Sequence, residues 1–248
     1  MGEGKSAHVL ITGASQGIGR AIVMRLASRQ HFVLCVSRNK PEFMDAKRFQ
    51  WADRIAWTSL DLSNATAVEQ YTASLETLPI RALILSAVDY GDGARHGASA
   101  TSTSEWQRVI GTNLVGQSVL VARMLSKLVR NGSGVIINIS SDVAVAPAVG
   151  RAAYGASKAG LHAMLRAVEA EHRDDGLCVY QLVPTFQSVT EGIRRRRPAG
   201  FDFSSYADPS LIAEVVERIM SASGSVPAGT YLIRRDGTLD PYDEAAGL

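Results

Sequence analysis

A tyrosine and a lysine in the stretch Ala-Tyr-Gly-Ala-Ser-Lys-Ala-Gly, residues 153–160, have the clearest chemical potential in this sequence. Tyr154 and Lys158 are four positions apart, so a helix would place both side chains on one face, one turn from each other. Small residues surround them and leave room beside the phenol and the amine. The stretch is either a close helix–helix contact with two incidental polar residues, or an acid and its activator that face a bound molecule.

The composition is typical of a soluble globular protein, with 46% hydrophobic and 20% charged residues among 248. A chain of this length forms a core without a metal or a disulfide. The net charge of +2 is too small to indicate a nucleic-acid partner. Cys35 and Cys178 lie in apolar runs that predict buried strands, so we interpret them as free thiols in a reducing compartment and expect a cytoplasmic protein.

Membrane and metal sites are not indicated by the sequence. The N-terminus has no long apolar segment and no run of about 18 apolar residues occurs, so we predict neither a signal peptide nor a membrane span. None of the five histidines has metal-ligand spacing with a cysteine or another histidine, so we predict no metal. His162, one turn beyond Lys158, is interpreted as a packing or surface residue.

Short apolar runs alternate with longer helical patterns along the chain. Continuous apolar strands between helices predict a parallel sheet covered on both faces, and right-handed crossovers then make it doubly wound. We predict a single α/β domain over residues 1–248, with strands at 8–12, 32–36, 54–60, 81–86, 134–140, 177–183 and 230–234 and helices near 17–29, 64–77, 104–130, 152–173 and 208–222.

Two local signals refine this prediction. Ser104 and Gln107 have the spacing of a capping box at the start of the helix near 104–130. Residues 185–207 lack a clean period and follow the carboxyl end of a strand, which is the ligand edge of such a sheet. We interpret this segment as a lid or binding loop.

The first strand runs into a glycine-rich turn and then a helix. Gly13 permits a tight turn, Gly17 and Gly19 allow close approach of backbone and ligand, and the helix start offers free amides to a pyrophosphate. An acidic residue at the end of the second strand would accept hydrogen bonds from a ribose hydroxyl, but Arg38 stands there instead. An arginine at that edge is either a solvated surface residue or the partner of a 2′-phosphate, and we favour NADP(H) over NAD(H).

Five segments in order make the chain similar to the classical short-chain dehydrogenase/reductase family over nearly its whole length. Tyr154 follows Ser141 by thirteen residues, as in the family pattern. The segments are Thr-Gly-Ala-Ser-Gln-Gly-Ile-Gly at 12–19, Asp-Leu-Ser at 61–63, Thr-Asn-Leu at 112–114, Asn-Ile-Ser-Ser at 138–141 and Tyr-Gly-Ala-Ser-Lys at 154–158.

The resemblance implies a role for each matching residue. Tyr154 would protonate a carbonyl oxygen that accepts a hydride, and the Lys158 ammonium would lower the phenol pKa from its free value of about 10. Lys158 would also hold the nicotinamide ribose. Ser141 would hydrogen-bond the substrate oxygen, and Asn113 would anchor a proton-carrying water. The predicted cofactor-binding residues are Gly13, Ser15, Gln16, Gly17, Ile18, Gly19, Ser37, Arg38, Asp61, Leu62, Ala87, Tyr154, Lys158 and Pro184.

The sequence departs from the family at two strand ends. Leu85-Ser86-Ala87-Val88 stands where the family usually has Asn-Asn-Ala-Gly, which removes an amide that ties neighbouring strands. Ser86 replaces part of that bonding but not its reach, and Val88 requires room or another backbone path. After Pro184 the family's threonine is out of register, which leaves Ser188 or Thr190 as candidates for the nicotinamide amide.

Four consecutive arginines, 194–197, lie in the predicted lid. They are either a docking surface for an acidic carrier, such as an acyl-carrier protein or a coenzyme A phosphate, or a solvated lid helix. The apolar segment 142–150 is expected to border the substrate pocket.

The predicted function is NADPH-dependent reduction of a ketone or aldehyde, with the reverse oxidation open. A 3-oxoacyl thioester, a polyketide-like cyclic ketone and a sepiapterin- or diketone-type substrate remain alternatives. A protein that binds NADP(H) without turnover, as a regulator or structural subunit, is the rival from another class. The resemblance also implies a homodimer or homotetramer, with small residues on two helices for close packing at Gly111, Gly116, Ala156 and Gly160.

Overall fold

The computed structural model describes residues 8–44, 50–92, 95–130, 132–221 and 226–243. Eight strands form one sheet in the order β3-β2-β1-β4-β5-β6-β7-β8, with β1 to β7 parallel and β8 antiparallel to β7. The strands are β1 (His8–Thr12), β2 (Phe32–Ser37), β3 (Ile55–Ser59), β4 (Ile80–Leu85), β5 (Val135–Ile139), β6 (Cys178–Pro184), β7 (Gly229–Ile233) and β8 (Leu239–Pro241).

Helices cover both faces of the sheet. The first face carries α1 (Gly17–Ser28) and α7 (Ser210–Ser221), and the second carries α2 (Ala65–Ser74), α4 (Gly116–Arg130) and α5 (Ala152–Glu171). Two shorter helices, α3 (Thr103–Ile110) and α6 (Glu191–Arg194), lie beyond the carboxyl ends of β4 and β6 in the chain.

Side-chain alternation along β1 divides the core into two layers. Val9 and Ile11 pack with Ile22 of α1 on the first face, whereas Leu10 packs with Leu120 of α4 on the second. All five side chains are fully buried. Burial of each such side chain contributes about 1.5–3 kcal/mol, so both helical layers are held firmly to the sheet.

The topology places a crevice beside β1. The chain runs outward from β1 to β3 and then crosses back to β4, which pairs with the other edge of β1. Loops that follow β1 and β4 therefore diverge at the carboxyl ends of the strands. Ligands bind at this position in doubly wound sheets.

The doubly wound α/β fold predicted from the sequence is confirmed. Each of the seven predicted strands is present with its ends within one residue. β8 was not predicted, because a three-residue strand containing Asp240 and Pro241 has no apolar alternation. The predicted helices are present within three residues at each end, although residue 222, the predicted end of α7, lies outside the described residues.

The predicted helix 104–130 is interrupted. α3 ends at Ile110, and a π-helical turn, Gly111–Val115, joins it to α4. The predicted capping box is wrong, because the Ser102 hydroxyl, and not that of Ser104, accepts the amide of Glu105 at 3.1 Å. The π turn holds Asn113, and such turns are frequent at functional sites.

The continuous helical segment Thr103–Arg130 is long and apolar enough to cross a membrane by length and composition. That is weak evidence, because core helices of soluble proteins meet the same criterion. Here 44% of its apolar window is buried inside the protein, and α4 packs on the sheet through side chains such as Leu120 and Met124.

Candidate functional site

A cleft of about 1100 Å³ opens at the carboxyl ends of the parallel strands. Its lining includes Tyr154, Lys158 and Ser141, together with the glycine turn and Arg38. Every cofactor-binding residue predicted from the sequence also lines it, as do Ser188 and Thr190. Among the predicted site residues only Asn113 does not reach this cleft.

The turn after β1 requires glycine for two separate reasons. Gly13 has φ +73, and a Cβ there would lie 2.6 Å from Cα of Ala87. Gly19 has no such φ, but its Cβ would lie 2.2 Å from the carbonyl oxygen of Gly13. Both contacts are with backbone, which cannot rotate aside. The start of α1 can therefore approach the turn only without side chains.

The amide at the start of α1 already binds a carboxylate from helix α6. Gly17 donates its N–H to Oε2 of Glu191 at 2.8 Å, and Arg20 forms an ion pair with the same carboxylate. Burial acts to raise the pKa of Glu191, but hydrogen bonds from the amides of Glu191 and Gly17 and the charge of Arg20 hold it below its usual value. The turn therefore binds a carboxylate anion in this structure, as expected for backbone amides at a helix N-terminus.

Tyr154 lies in a small cluster beside Val109, Val143 and Ala153 and is 7% exposed. Burial raises the pKa of its phenol well above the ordinary value, and a hydrogen bond with Ser141 opposes that shift. Ser141 also donates its hydroxyl hydrogen to Oδ1 of Asp142 at 2.8 Å. Ser141 and Tyr154 therefore lie together in the cleft.

Lys158 is buried behind the phenol. Its Nζ donates to the carbonyl oxygen of Ile139 at 3.0 Å, and burial lowers its pKa to about 8. The sequence predicted that the ammonium would lower the Tyr154 pKa, but the net shift of that pKa is upward. Burial of the phenol is the dominant effect.

The Asn113 side chain is bonded within the protein, and its predicted water contact stays a prediction. Its Oδ1 accepts the amide of Asp89 at 2.7 Å, while its Nδ2 donates to the Asp89 carbonyl at 2.8 Å and to the Ser157 hydroxyl at 3.0 Å. Both amide hydrogens are thus engaged within the protein. The side chain therefore connects the loop after β4 to helix α5. Its contact on α5 is Ser157, which lies between Tyr154 and Lys158 in the sequence.

The segment Leu85–Val88 is held by residues that were not predicted to act there. Thr12 Oγ1 accepts the amides of Ser86 and Ala87 at 3.0 and 3.1 Å. Gln117 on α4 donates its side-chain amide to the Ala87 carbonyl at 3.1 Å. Gln117 is fully buried, and its carboxamide supplies a hydrogen bond to this strand end, where the family asparagine is missing. The motif departure leaves the strand end well bonded.

Val88 fits without backbone strain. Within the described ranges, Gln30 is the one non-glycine residue with a positive φ. The Val88 side chain is partly buried and packs against the cluster that contains Val109 and Tyr154. Val88 therefore has no left-handed backbone, and the predicted alternatives of extra room or another backbone path both stay predictions.

Three buried hydroxyls in the cleft wall have no hydrogen-bond partner in the part of the chain that the structure describes. They belong to Thr112, Ser140 and Ser188. A buried hydroxyl without a partner costs about 1–3 kcal/mol, so such groups are normally satisfied by a ligand or by water. Their shared position indicates that the cleft accepts a polar ligand.

The far end of the cleft is built by the ends of β2 and β3. Arg38 is exposed there, and no carboxylate of the described residues pairs with it. Ser37 donates its hydroxyl to the Asn39 carbonyl at 2.8 Å and accepts from Nε1 of Trp57 at 2.9 Å. Asp61 accepts the amide and hydroxyl of Ser63, which fixes the turn after β3.

Tyr90, Arg151 and Arg196 are the prominent cleft residues that motif matching missed. The Tyr90 and Tyr154 rings lie 5.2 Å apart between centroids. The guanidinium of Arg196 lies 4.4 Å from the Tyr90 centroid, and that of Arg151 lies 5.7 Å from the Tyr154 centroid. The arginine run at 194–197 was the one sequence signal for this region.

The small helix residues that were predicted to face a partner subunit mostly pack within the chain. A Cβ on Gly116 would lie 1.8 Å from the Leu62 carbonyl oxygen, and one on Gly160 would lie 2.9 Å from the Leu114 side chain. Gly111 likewise faces Ser63. These three glycines therefore allow close packing within the chain, and their contact with a partner subunit stays a prediction. The predicted homo-oligomer itself stays a prediction.

The described residues contain no group of three histidine, cysteine, aspartate or glutamate side chains placed to hold a metal ion. Cys35 and Cys178 are both free thiols, and burial raises the Cys35 pKa to about 12. Polar chemistry in the cleft therefore depends on hydroxyl, amine, guanidinium and carboxylate groups.

Comparisons with known proteins agree with this geometry. The family described as short chain dehydrogenase matches residues 7–199. The 3-oxoacyl-[acyl-carrier-protein] reductase of Rickettsia bellii is 30% identical over 93% of this chain and 95% of its own length. The acetoacetyl-CoA reductase of an Acinetobacter strain is 27% identical, with 90% and 94% covered.

Solved structures share the fold. An actinorhodin polyketide ketoreductase with NADPH superposes with a TM-score of 0.79 at 24% identity, covering 95% of this chain and 98% of that one. Similar folds have also been solved with NADH. At this level of identity the likeness concerns the fold alone.

Proposed function

Since the chain belongs to the short-chain dehydrogenase/reductase family, we propose that it reduces a ketone or aldehyde with NADPH and that Tyr154 is the proton donor. The observation that carries this proposal is the arrangement of Ser141, Tyr154 and Lys158 in one cleft with the glycine turn. The single most informative test is NADPH oxidation by the purified protein with a panel of carbonyl compounds.

The cleft fits a dinucleotide by three independent features. Gly17 already donates to a carboxylate, so its amide can donate to a pyrophosphate oxygen. A Cβ at Gly13 would collide with the backbone of Ala87 after β4, so only a residue without a side chain fits in this turn. The unpartnered hydroxyls of Ser140 and Ser188 are available to polar ligand atoms. When bound, the nicotinamide supplies the hydride that adds to the carbonyl carbon.

Protein groups then handle the proton. The raised pKa keeps the Tyr154 phenol protonated until negative charge develops on the carbonyl oxygen, which then takes the proton. The single hydroxyl hydrogen of Ser141, which Asp142 accepts in this structure, would turn to that oxygen and stabilise the same charge. With a pKa of about 8, the Lys158 amine is protonated near neutrality and compensates the phenolate that remains. One hydride on carbon and one proton on oxygen complete the alcohol.

Asn113 is proposed as a positioning residue in this reaction. Through Ser157 it holds the turn of α5 between Tyr154 and Lys158, and through Asp89 it holds the loop beneath Tyr90. Its contribution is the orientation of the phenol, because its side-chain hydrogens are already engaged.

The preference for NADPH is proposed from Arg38. Replacement of Arg38 by alanine should raise the Kd for NADPH at least about tenfold, since a charged hydrogen bond to phosphate contributes roughly 1.5–3 kcal/mol. The Kd for NADH should change less than twofold. Fluorescence titration of both cofactors with wild type and variant measures the ratio. An equal loss for both cofactors would contradict the assignment.

Glu191 is expected to compete with the cofactor. Its carboxylate occupies the Gly17 amide that a pyrophosphate needs, and it is held there as an anion by Arg20. Glu191→Gln should therefore lower the Kd for NADPH by about tenfold, because one repulsive charge is removed. Glu214→Gln, an exposed glutamate of α7 that pairs with Arg25, is the matched control. A weaker affinity in Glu191→Gln would show that the carboxylate assists binding.

The substrate proposal is a ketone of biosynthetic type, with a 3-oxoacyl thioester as one candidate. Two relatives are named for reduction of acyl-carrier-protein-bound or coenzyme A-bound oxo groups, which supports a carbonyl substrate in general terms. We also propose that residues 185–207 act as a lid over one catalytic domain, and that the protein is a cytoplasmic homodimer or homotetramer. Light scattering of the purified protein tests the assembly.

A further inference from the structure

Two guanidinium groups lie at the side of the cleft where the substrate would enter. Arg151 is stacked beside Tyr154, with 5.7 Å between its Cζ and the ring centroid, and Arg196 covers Tyr90 at 4.4 Å. Tyr90 in turn packs on Tyr154. Only one aromatic ring therefore separates Arg196 from the phenol that is proposed to donate the proton.

The four arginines of the lid do not form one surface. Arg194 stacks on Phe203 and lies outside the cleft. Arg195 donates to the Gln16 side chain at 2.6 Å, and Arg197 donates to the Tyr206 hydroxyl at 3.0 Å. Of the four, Arg196 is the arginine that stacks on Tyr90 in the cleft. The predicted docking surface for a carrier is thus divided among separate contacts.

Arg151 and Arg196 have no counter-charge in the described part of the chain, where no carboxylate pairs with either of them. The nearby carboxylate of Asp89 pairs with Arg108 at 3.0 Å, and Asp142 accepts the Ser141 hydroxyl and the Val143 amide.

The electrostatics of Arg196 point in the same direction. Partial removal from water lowers its pKa, and the positive charges of Arg151, Arg197 and Arg195 lower it further, while the Tyr90 phenol opposes them. Positive charges close to one another beside an aromatic ring repel each other, unless a bound anion compensates them. Burial raises the pKa of the Tyr90 phenol, and the charges of Arg196 and Arg151 both oppose that shift.

A purely structural role explains less of this arrangement. Guanidinium–aromatic stacking contributes about 0.5–1 kcal/mol at exposed sites, and a single arginine would provide it. Two arginines from different segments that line one cleft, without a carboxylate partner among the described residues, instead supply the groups that bind carboxylate or phosphate through charge-assisted hydrogen bonds.

We propose that the substrate carries its own anionic group, a carboxylate or a phosphate only a few bonds from the carbonyl, and that Arg151 and Arg196 bind this group. The inference rests on the proposed reductase function and narrows its substrate class. The phosphate of a coenzyme A or carrier arm does not fit, because a long chain separates it from the thioester carbonyl. An oxo acid or a ketone phosphate does fit.

The kinetic test compares charged substrates with neutral analogues. Suitable pairs are 2-oxopentanoate and 4-oxopentanoate with their methyl esters, and dihydroxyacetone phosphate with dihydroxyacetone. Acetoacetyl-coenzyme A with the acetoacetyl thioester of N-acetylcysteamine tests the distant phosphate. We expect kcat/KM of wild type to favour the anionic member of one of the first three pairs by about tenfold or more, mainly through KM.

The variants assign this preference to the two arginines. Arg151→Gln and Arg196→Gln should each raise KM for the anionic substrate about tenfold or more and leave the neutral analogue unchanged. Arg194→Gln, on the same lid but outside the cleft, is the matched control. Thermal unfolding checks that each variant is folded. Equal loss for charged and neutral substrates would overturn the proposal.

A binding experiment separates this proposal from the proposed function. Calorimetry with glutarate and with inorganic phosphate, on protein saturated with NADP⁺, should show binding of one anion that the Arg151→Gln/Arg196→Gln double variant loses. If this occurs but no carbonyl compound is reduced, the anion site stands and the reductase function fails. If carbonyl compounds are reduced without charge preference and neither anion binds, the anion site is contradicted and the reductase function stands.

Discussion

Tyr154→Phe is expected to lower kcat for carbonyl reduction about a thousandfold, the usual range for loss of a general acid being roughly 10²–10⁴. The affinity for NADPH should stay within about twofold. The variant removes one hydroxyl and keeps the ring that packs against Tyr90 and Val143. Because that hydroxyl is the proposed proton source, the loss belongs to the chemical step and not to binding.

The measurement is steady-state NADPH oxidation, together with fluorescence titration of NADPH on both proteins. Tyr71→Phe, on helix α2 away from the cleft, is the matched control, and its kcat should equal that of wild type. Wild-type kcat in Tyr154→Phe would remove the phenol from the mechanism. A lost NADPH affinity with an unchanged rate at saturation would make Tyr154 a binding residue only.

Gly19→Ala is expected to weaken NADPH binding about a hundredfold and to lower the free energy of unfolding by about 1–3 kcal/mol. The added Cβ would lie 2.2 Å from the Gly13 carbonyl oxygen, and backbone there cannot rotate away. Helix α1 must shift relative to the turn, which displaces the Gly17 amide from the position that an anion needs. Denaturant titration and NADPH titration measure the two effects.

Gly155→Ala serves as the control for stability, since both glycines lie in helices without a positive φ. The nearest atom to a Cβ on Gly155 is the Val143 carbonyl oxygen at 3.8 Å, an ordinary contact. This variant should raise the free energy of unfolding by about 0.5–1 kcal/mol, because alanine favours the helix. Equal stability of the two variants would show that α1 is not pressed against the turn.

Local features of the fold were predictable from the sequence, and distant pairings were not. Continuous apolar runs and the glycine turn depend on neighbouring residues, so β1 and α1 were located closely. β8 and the π turn at Gly111–Val115 leave no periodic signal. The interruption of the helix depends on packing around Asn113, which a helical pattern does not encode.

The same division applies to the candidate site. The Tyr154 and Lys158 pair was predictable because its spacing is local. The replacement of a strand-end amide by Gln117 was not, since Gln117 is thirty residues from Ala87 and reaches it only in the folded chain. Glu191 bonded to Gly17 is a still more distant pairing, 174 positions apart. Such contacts form only when the chain is folded, so local sequence patterns do not reveal them.

The direction of the Tyr154 pKa illustrates why spacing alone is insufficient. A lysine one helical turn away predicts a lowered phenol pKa, but the structure buries both groups and directs the Lys158 amine to the Ile139 carbonyl. Desolvation therefore outweighs attraction between the two side chains. A protonated phenol is the form that donates in reduction, so the raised pKa is consistent with the proposed direction.

Transfer of deuterium to a ketone, from NADPH that carries deuterium at both C4 positions, decides whether the protein is a reductase. The alcohol formed by wild-type protein should carry one deuterium on its carbinol carbon for each NADPH oxidised, as read by mass spectrometry, and Tyr154→Phe should form almost none. If the protein binds NADPH but transfers no deuterium to any ketone or aldehyde in a broad panel that includes oxo acids, ketone phosphates and thioesters, it is an NADP(H)-binding protein without turnover, and the account is contradicted.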